Sequence, residues 1–120
     1  MENSHRVYYT MSADVPVLLI EGDMTSDSDR DIMDVYNAIK VELSPKYLVV
    51  NFEKTNYINS SGIATLINII QDLGETDGRI SFVGLSTHFQ KIMDIVGISD
   101  FVKIYPTEDD AVIAIKGLPE

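Results

Sequence analysis

The chain has 120 residues, 45% hydrophobic and 23% charged, the balance of one globular domain spanning residues 1–120 rather than of a disordered tail or a two-domain protein. Lys and Arg number 9 against 19 Asp and Glu, and a formal charge of −10 argues against binding to a nucleic-acid backbone or to anionic lipid. Cysteine is absent, which excludes thiol nucleophiles, Cys-ligated zinc and a disulfide framework; a domain of this size needs no such staple to fold.

The first residues, Met1 to Arg6, are polar and unlike a signal core, and no apolar stretch approaches the ~20 residues of a membrane span. A soluble, cytoplasmic protein is expected. Arg6–Met11 and Val15–Glu21 are β-prone runs separated by Ser12-Ala13-Asp14, a hairpin signal, and Gly22-Asp23 closes the second. An acidic stretch (Asp27, Asp29, Asp31, Asp34) then overlaps Ile32, Val35, Tyr36, Ile39 and Leu43, which share a helical period. The aspartates suit the positive end of that helix as a solvated start, and Pro45 stops it.

Tyr47–Phe52 is nearly all apolar, as a strand buried on both faces would be. After a polar connection, Ile63–Leu73 is apolar on almost all sides, the pattern of a buried helix, ending near Gly74. Arg79–Gly84 predicts a strand. Ser86-Thr87 caps a helix carrying Phe89, Ile92, Met93 and Val96 on one face, with Gly97 beyond it. Phe101–Tyr105 predicts the last strand, and Thr107 with Asp110 opens a final helix, Ala111–Lys116. The order ββαβαβαβα implies an α/β fold: a small, mixed, mostly parallel sheet flanked by about four helices.

The informative stretch is Asn59-Ser60-Ser61-Gly62, just before the apolar helix. One reading is a helix cap and nothing more, since Asn and Ser side chains accept orphan backbone N–H groups. The other is a signalling site. A helix this apolar must meet solvent at its N-terminus, where a hydroxyl is accessible and an added anion is tolerated.

These residues resemble the STAS domains of bacterial anti-sigma factor antagonists and sulfate transporters. The antagonists carry Asp-Ser-Ser/Ala-Gly between a strand and a helix, with the first serine phosphorylated; Ser60 is the matching position. The resemblance extends through Glu21-Gly22-Asp23-Met24, Gly84-Leu85-Ser86 and Phe89 to Ile98, in order and with matching spacing. Two positions depart from the pattern: Asn59 replaces the aspartate before the serine, and Thr25 stands where an aspartate is common. Asn59 keeps capping capacity without the charge.

The resemblance implies partner switching. The unphosphorylated form binds an anti-sigma factor with serine kinase activity and so frees a sigma factor; phosphorylation of Ser60 ends the binding; a serine phosphatase resets the cycle. ATP belongs to the partner, so this chain needs no cofactor and is not an enzyme. Parallel strands bring the loops at their carboxyl ends to one edge, so the expected partner-binding residues are Gly22, Asp23, Met24, Asn59, Ser60, Ser61, Gly62, Ser86, His88 and Phe89; Met24 and Ile58 read equally as core residues or, where exposed, as anchors.

A phosphate adds roughly −1.5 to −2 charge, and its effect on its own helix is about 0.3–1 kcal/mol, ~2 at most. Turning a switch from mostly on to mostly off takes about 5.5 kcal/mol of differential binding. The difference has to arise at an interface, where a dianion meets a surface fitted to a neutral hydroxyl.

Rival chemistries fit poorly. Ser60 lacks the Gly-x-Ser-x-Gly turn of a hydrolase, and neither His5 nor His88 has an evident orienting partner. A calcium loop starting at Asp27 would put Ile32 at its glycine position and Ala38 at its bidentate glutamate, so no metal site is expected. No phosphate loop or dinucleotide fingerprint occurs. A phosphoacceptor receiver would need an aspartate ending a central strand, where this chain has Phe52-Glu53. The remaining alternative is a structural STAS subunit of a larger signalling assembly, without phosphorylation-driven release.

Overall fold

A computed structural model describes residues 5–117. The elements are β1 (His5–Ser12), β2 (Val15–Met24), α1 (Ser26–Leu43), β3 (Tyr47–Asn51), β4 (Thr55–Ile58), α2 (Ser60–Gly74) and β5 (Arg79–Val83), then α3 (Thr87–Ile95), a 3-10 turn (Ile98–Asp100), β6 (Lys103–Tyr105) and α4 (Glu108–Lys116). The β1–β2 hairpin closes through Ala13 and Asp14, with φ of 50° and 69°, the two left-handed residues of a tight hairpin turn that follows the twist of its strands.

The sheet runs β1-β2-β3-β5-β6; only β1 is antiparallel to its neighbour. Alternation divides its side chains into two cores. Leu18, Ile20, Val50, Phe52 and Phe82 join buried residues of α1, α2 and α3, and the Phe52 and Phe82 rings meet edge-on at 4.9 Å. On the opposite face Val15, Val17, Val49 and Val83 pack on Ala111 and Ile115 of α4. Both faces of β3 are therefore covered, as its apolar run predicts. No helix among the described residues is long and apolar enough to cross a membrane.

Four expectations need correction. The polar connection after Phe52 contains an additional strand, β4, because β2 does not end at Gly22-Asp23: beyond Leu19, its last residue paired with β3, it runs on to Met24 beside β4, whose extra residue Asn56 forms a bulge opposite Gly22 and Asp23. The helix expected as buried all round is one-sided: Leu66, Ile69 and Leu73 are buried, whereas Ala64, Asn68 and Gln71 are exposed. Leu43 and Val96, placed on core faces by periodicity, end up exposed near the ends of their helices. The last strand is also shorter than expected, beginning at Lys103, with Phe101 74% exposed before it.

Candidate functional site

Strands β3, β4, β5 and β6 all run parallel to β2, and α1, α2, α3 and α4 follow the carboxyl ends of β2, β4, β5 and β6. All four helix N-termini thus open at one sheet edge, and each has a short polar cap: Thr25, Asn59, Ser86 and Thr107 accept backbone N–H groups of the turns they begin. Capping satisfies some orphan donors and leaves the edge with the positive ends of four helix dipoles.

The turn into α2 is fixed to the end of β2. Asn59 N–H donates to the Met24 carbonyl at 3.1 Å, and Asn59 Oδ1 accepts from Gly62 N–H at 3.1 Å. Gly62 is required by close approach: a β-carbon there would lie 2.6 Å from the Met24 carbonyl oxygen and 2.9 Å from Met24 Cβ. This contact brings Gly22–Met24 and Asn59–Gly62 together. Gly84 plays a similar part at the end of β5, where φ is +72° and a β-carbon would meet Glu53 N at 2.8 Å.

Ser60 is the first residue of α2 and is exposed; its hydroxyl has no hydrogen-bond partner among the described residues. Ser61 differs. Its hydroxyl donates to Asp29 Oδ2, while the Thr65 hydroxyl lies 2.7 Å from Asp29 Oδ1 and 3.2 Å from the Ser61 carbonyl. One carboxylate from the first turns of α1 therefore joins two hydroxyls at the start of α2. Asp29 is half-buried, which corrects the expectation of a solvated aspartate. Thr65, a polar residue 5% exposed on a core-facing position of an apolar helix, needs an acceptor and was the sequence signal that could have pointed to Asp29.

The remaining expected residues divide by exposure. Gly22 and Asp23, opposite the β4 bulge, are half-buried, as are Asn59 and Ser61, and Ser86 and His88 are exposed. Met24 is 0% exposed and Ile58 7%, so the expectation that either anchors a partner from the surface fails: both side chains fill the core under α1 to α3. Phe89 and Gly62 are buried as well, Phe89 in that same core with its ring 5.9 Å from that of His88. The α3 start stands farther along the edge, because β3 separates β5 from β2.

Away from this edge, a second clamp joins the same two helices. Asp72 of α2 accepts from Tyr36 Oη at 2.7 Å and from Lys40 Nζ at 2.5 Å, both on α1. The Lys40 hydrogen bond, then that of Tyr36, holds the Asp72 carboxyl below the ordinary carboxylate range. Burial and the hydrogen bond to Asp72 push the Tyr36 phenol well above its ordinary value. Among the described residues no three His, Asp or Glu side chains gather where a metal ion could be held.

The class defined by this fold and edge is the small α/β domain whose polar loops sit at the carboxyl ends of its strands. Residues 9–111 match the STAS domain, and the chain belongs to that family. An anti-sigma-B factor antagonist of Staphylococcus aureus is 24% identical, over 60% of this chain and 74% of the relative. The crystal structure of an anti-sigma factor antagonist from Mycobacterium paratuberculosis superposes with a TM-score of 0.83 at 21% identity, covering 94% of this chain and 95% of that one. The Bacillus cell fate determinant SpoIIAA, solved in its phosphorylated form, gives a TM-score of 0.72 at 17% identity, over 92% of this chain and 99% of that one. At these identities the structural likeness concerns the fold.

Proposed function

We propose that this chain is a one-domain, cytoplasmic binding module, an anti-sigma factor antagonist whose unmodified form captures an anti-sigma factor with serine kinase activity and frees a sigma factor. Phosphorylation at Ser60 ends that capture, and a serine phosphatase restores it. The observation that carries the reading is the state of one hydroxyl: Ser60 stands exposed at the start of α2 with no partner among the described residues, while the turn beneath it is fixed by Asn59, Gly62 and Met24. The names of the relatives point the same way, and SpoIIAA, similar in fold, is known in a phosphorylated form.

The physical mechanism is exclusion at an interface. A partner surface that desolvates a neutral hydroxyl finds no compensation for a bulky charge of roughly −1.5 to −2 in its place. The partner contacts would come from Ser60, Ser86 and His88, the exposed members of the expected set, with half-buried Asp23, Asn59 and Ser61 beside them.

Affinity capture from extracts of the producing cells, using unmodified chain as bait, tests the partner; intact mass and peptide mapping of chain purified from those cells test the modification. The reading expects an ATP-binding anti-sigma factor on the bait and a phosphate mapped to Ser60 in part of the native population. A native chain that is never phosphorylated, and that sits in one large assembly, would instead support a purely structural STAS subunit.

A further inference from the structure

Two serines stand side by side at the start of α2, and the structure makes them unequal. The Ser60 hydroxyl is exposed and has no partner among the described residues, whereas the Ser61 hydroxyl is engaged by Asp29 across the α1–α2 boundary. We infer that Asp29 is the positioning residue that restricts phosphorylation to Ser60, by occupying the Ser61 hydroxyl and by repelling any phosphate placed on it. The inference rests on the proposed function, because it assumes that this turn meets a kinase.

Two effects act together. In its resting position Ser61 has its hydroxyl turned into the helix boundary toward a half-buried carboxylate, so presenting it to a phosphoryl donor requires breaking a charge-assisted hydrogen bond. The product is disfavoured too. A phosphate on Ser61 Oγ would set a dianion against Asp29 Oδ2, with Asp29 Oδ1 held 2.7 Å from the buried Thr65 hydroxyl, so the carboxylate cannot withdraw without leaving Thr65 only its longer contact to the Ser61 carbonyl. A phosphate on Ser60 breaks no side-chain hydrogen bond among the described residues. Phosphoryl transfer itself is unchanged in kind: the serine oxygen bonds to the γ-phosphorus of ATP, the bond to the bridging oxygen breaks, ADP leaves, and the hydroxyl proton passes to the kinase's base.

The test uses the full chain as wild type, Asp29→Asn and Asp29→Ala, each incubated with ATP and an extract of the producing cells, with phosphate at Ser60 and Ser61 quantified by peptide mapping. Asp29→Asn removes the charge with almost no change in size, which guards against an Asp29→Ala protein that fails to fold. Wild type is expected to carry nearly all of its phosphate on Ser60, with only a trace on Ser61. The share on Ser61 should rise roughly tenfold or more in the variants, the scale set by loss of one hydrogen bond to a charged group. A purely structural role for Asp29 would lower the yield at both serines and leave their ratio unchanged. Wild-type Ser60 modified, with Ser61 untouched in every folded variant, would overturn the selectivity role and leave the functional reading standing. No phosphate on wild-type Ser60 would overturn that reading and the inference with it.

Discussion

A β-carbon at position 62 would stand 2.6 Å from the Met24 carbonyl oxygen, which itself accepts the hydrogen bond that seats Asn59. Gly62→Ala must therefore move the α2 turn away from β2, and about 1–3 kcal/mol of stability should be lost in a urea unfolding experiment, the range for forcing extra volume into a packed site. The neighbouring positions separate stability from signalling. Asn59→Ala removes the α2 cap and should cost about 0.5–2 kcal/mol, whereas Ser60→Ala removes an exposed hydroxyl with no partner among the described residues and should stay within about 0.5 kcal/mol of wild type in the same assay. Asn59→Asp, which restores the charge usual in the family, keeps the cap and adds an anion at a helix N-terminus. It should raise stability by about 0.3–1 kcal/mol at low salt.

At the scale of elements, α1 and α2 are joined twice, by Asp29 to Ser61 and Thr65 near one end and by Asp72 to Lys40 and Tyr36 near the other. The second clamp gives the fold a pH signature at both limits. Asp72 titrates below its ordinary range when folded, so its contribution is present above the unfolded value of roughly 3.9 and disappears as pH falls through the folded value. Asp72→Asn should flatten the acid limb of a stability–pH curve. Tyr36 is raised, so its contribution is complete below the unfolded value of roughly 10 and declines as pH climbs beyond it. Tyr36→Phe should flatten the alkaline limb.

Legibility in the sequence followed the strength of local signals. The caps Asn59, Ser86 and Thr107, the α1 face of Ile32, Tyr36 and Ile39, and the doubly buried β3 are written in residue types at fixed spacing, and the structure has them there. β4 has no such signal: it is four residues long, with Thr55 and Ile58 buried and Asn56 and Tyr57 exposed, so no alternation marks it. Its existence depends on the extension of β2 beyond Leu19, a pairing event elsewhere in the chain. The roles of Asp29 and Met24 were hidden for the same reason. An aspartate in a first helical turn is usually solvated, and a methionine after an acidic turn is as plausible outside as inside, until a second element is packed on it.

For the whole molecule, the sheet separates two tasks. One face and α4 form a compact apolar layer, while the other face supports the three helices whose starts include Ser60. A charge of −10 adds a long-range term: association with a basic partner should slow as salt rises, since a Debye length of about 8 Å at physiological ionic strength already screens most exposed charges. Stopped-flow association rates between about 50 and 500 mM salt measure this, and a flat profile would assign recognition to contact rather than to field. The claim on which the account rests is that phosphorylation of a single hydroxyl at the start of α2 decides binding. Titration calorimetry of the captured anti-sigma factor against unmodified chain, Ser60→Ala and chain phosphorylated on Ser60 tests it most directly. The account predicts matching affinities for the first two and a loss for the third approaching 10⁴-fold, roughly 5.5 kcal/mol, the scale of a complete switch; equal affinity for all three would contradict it.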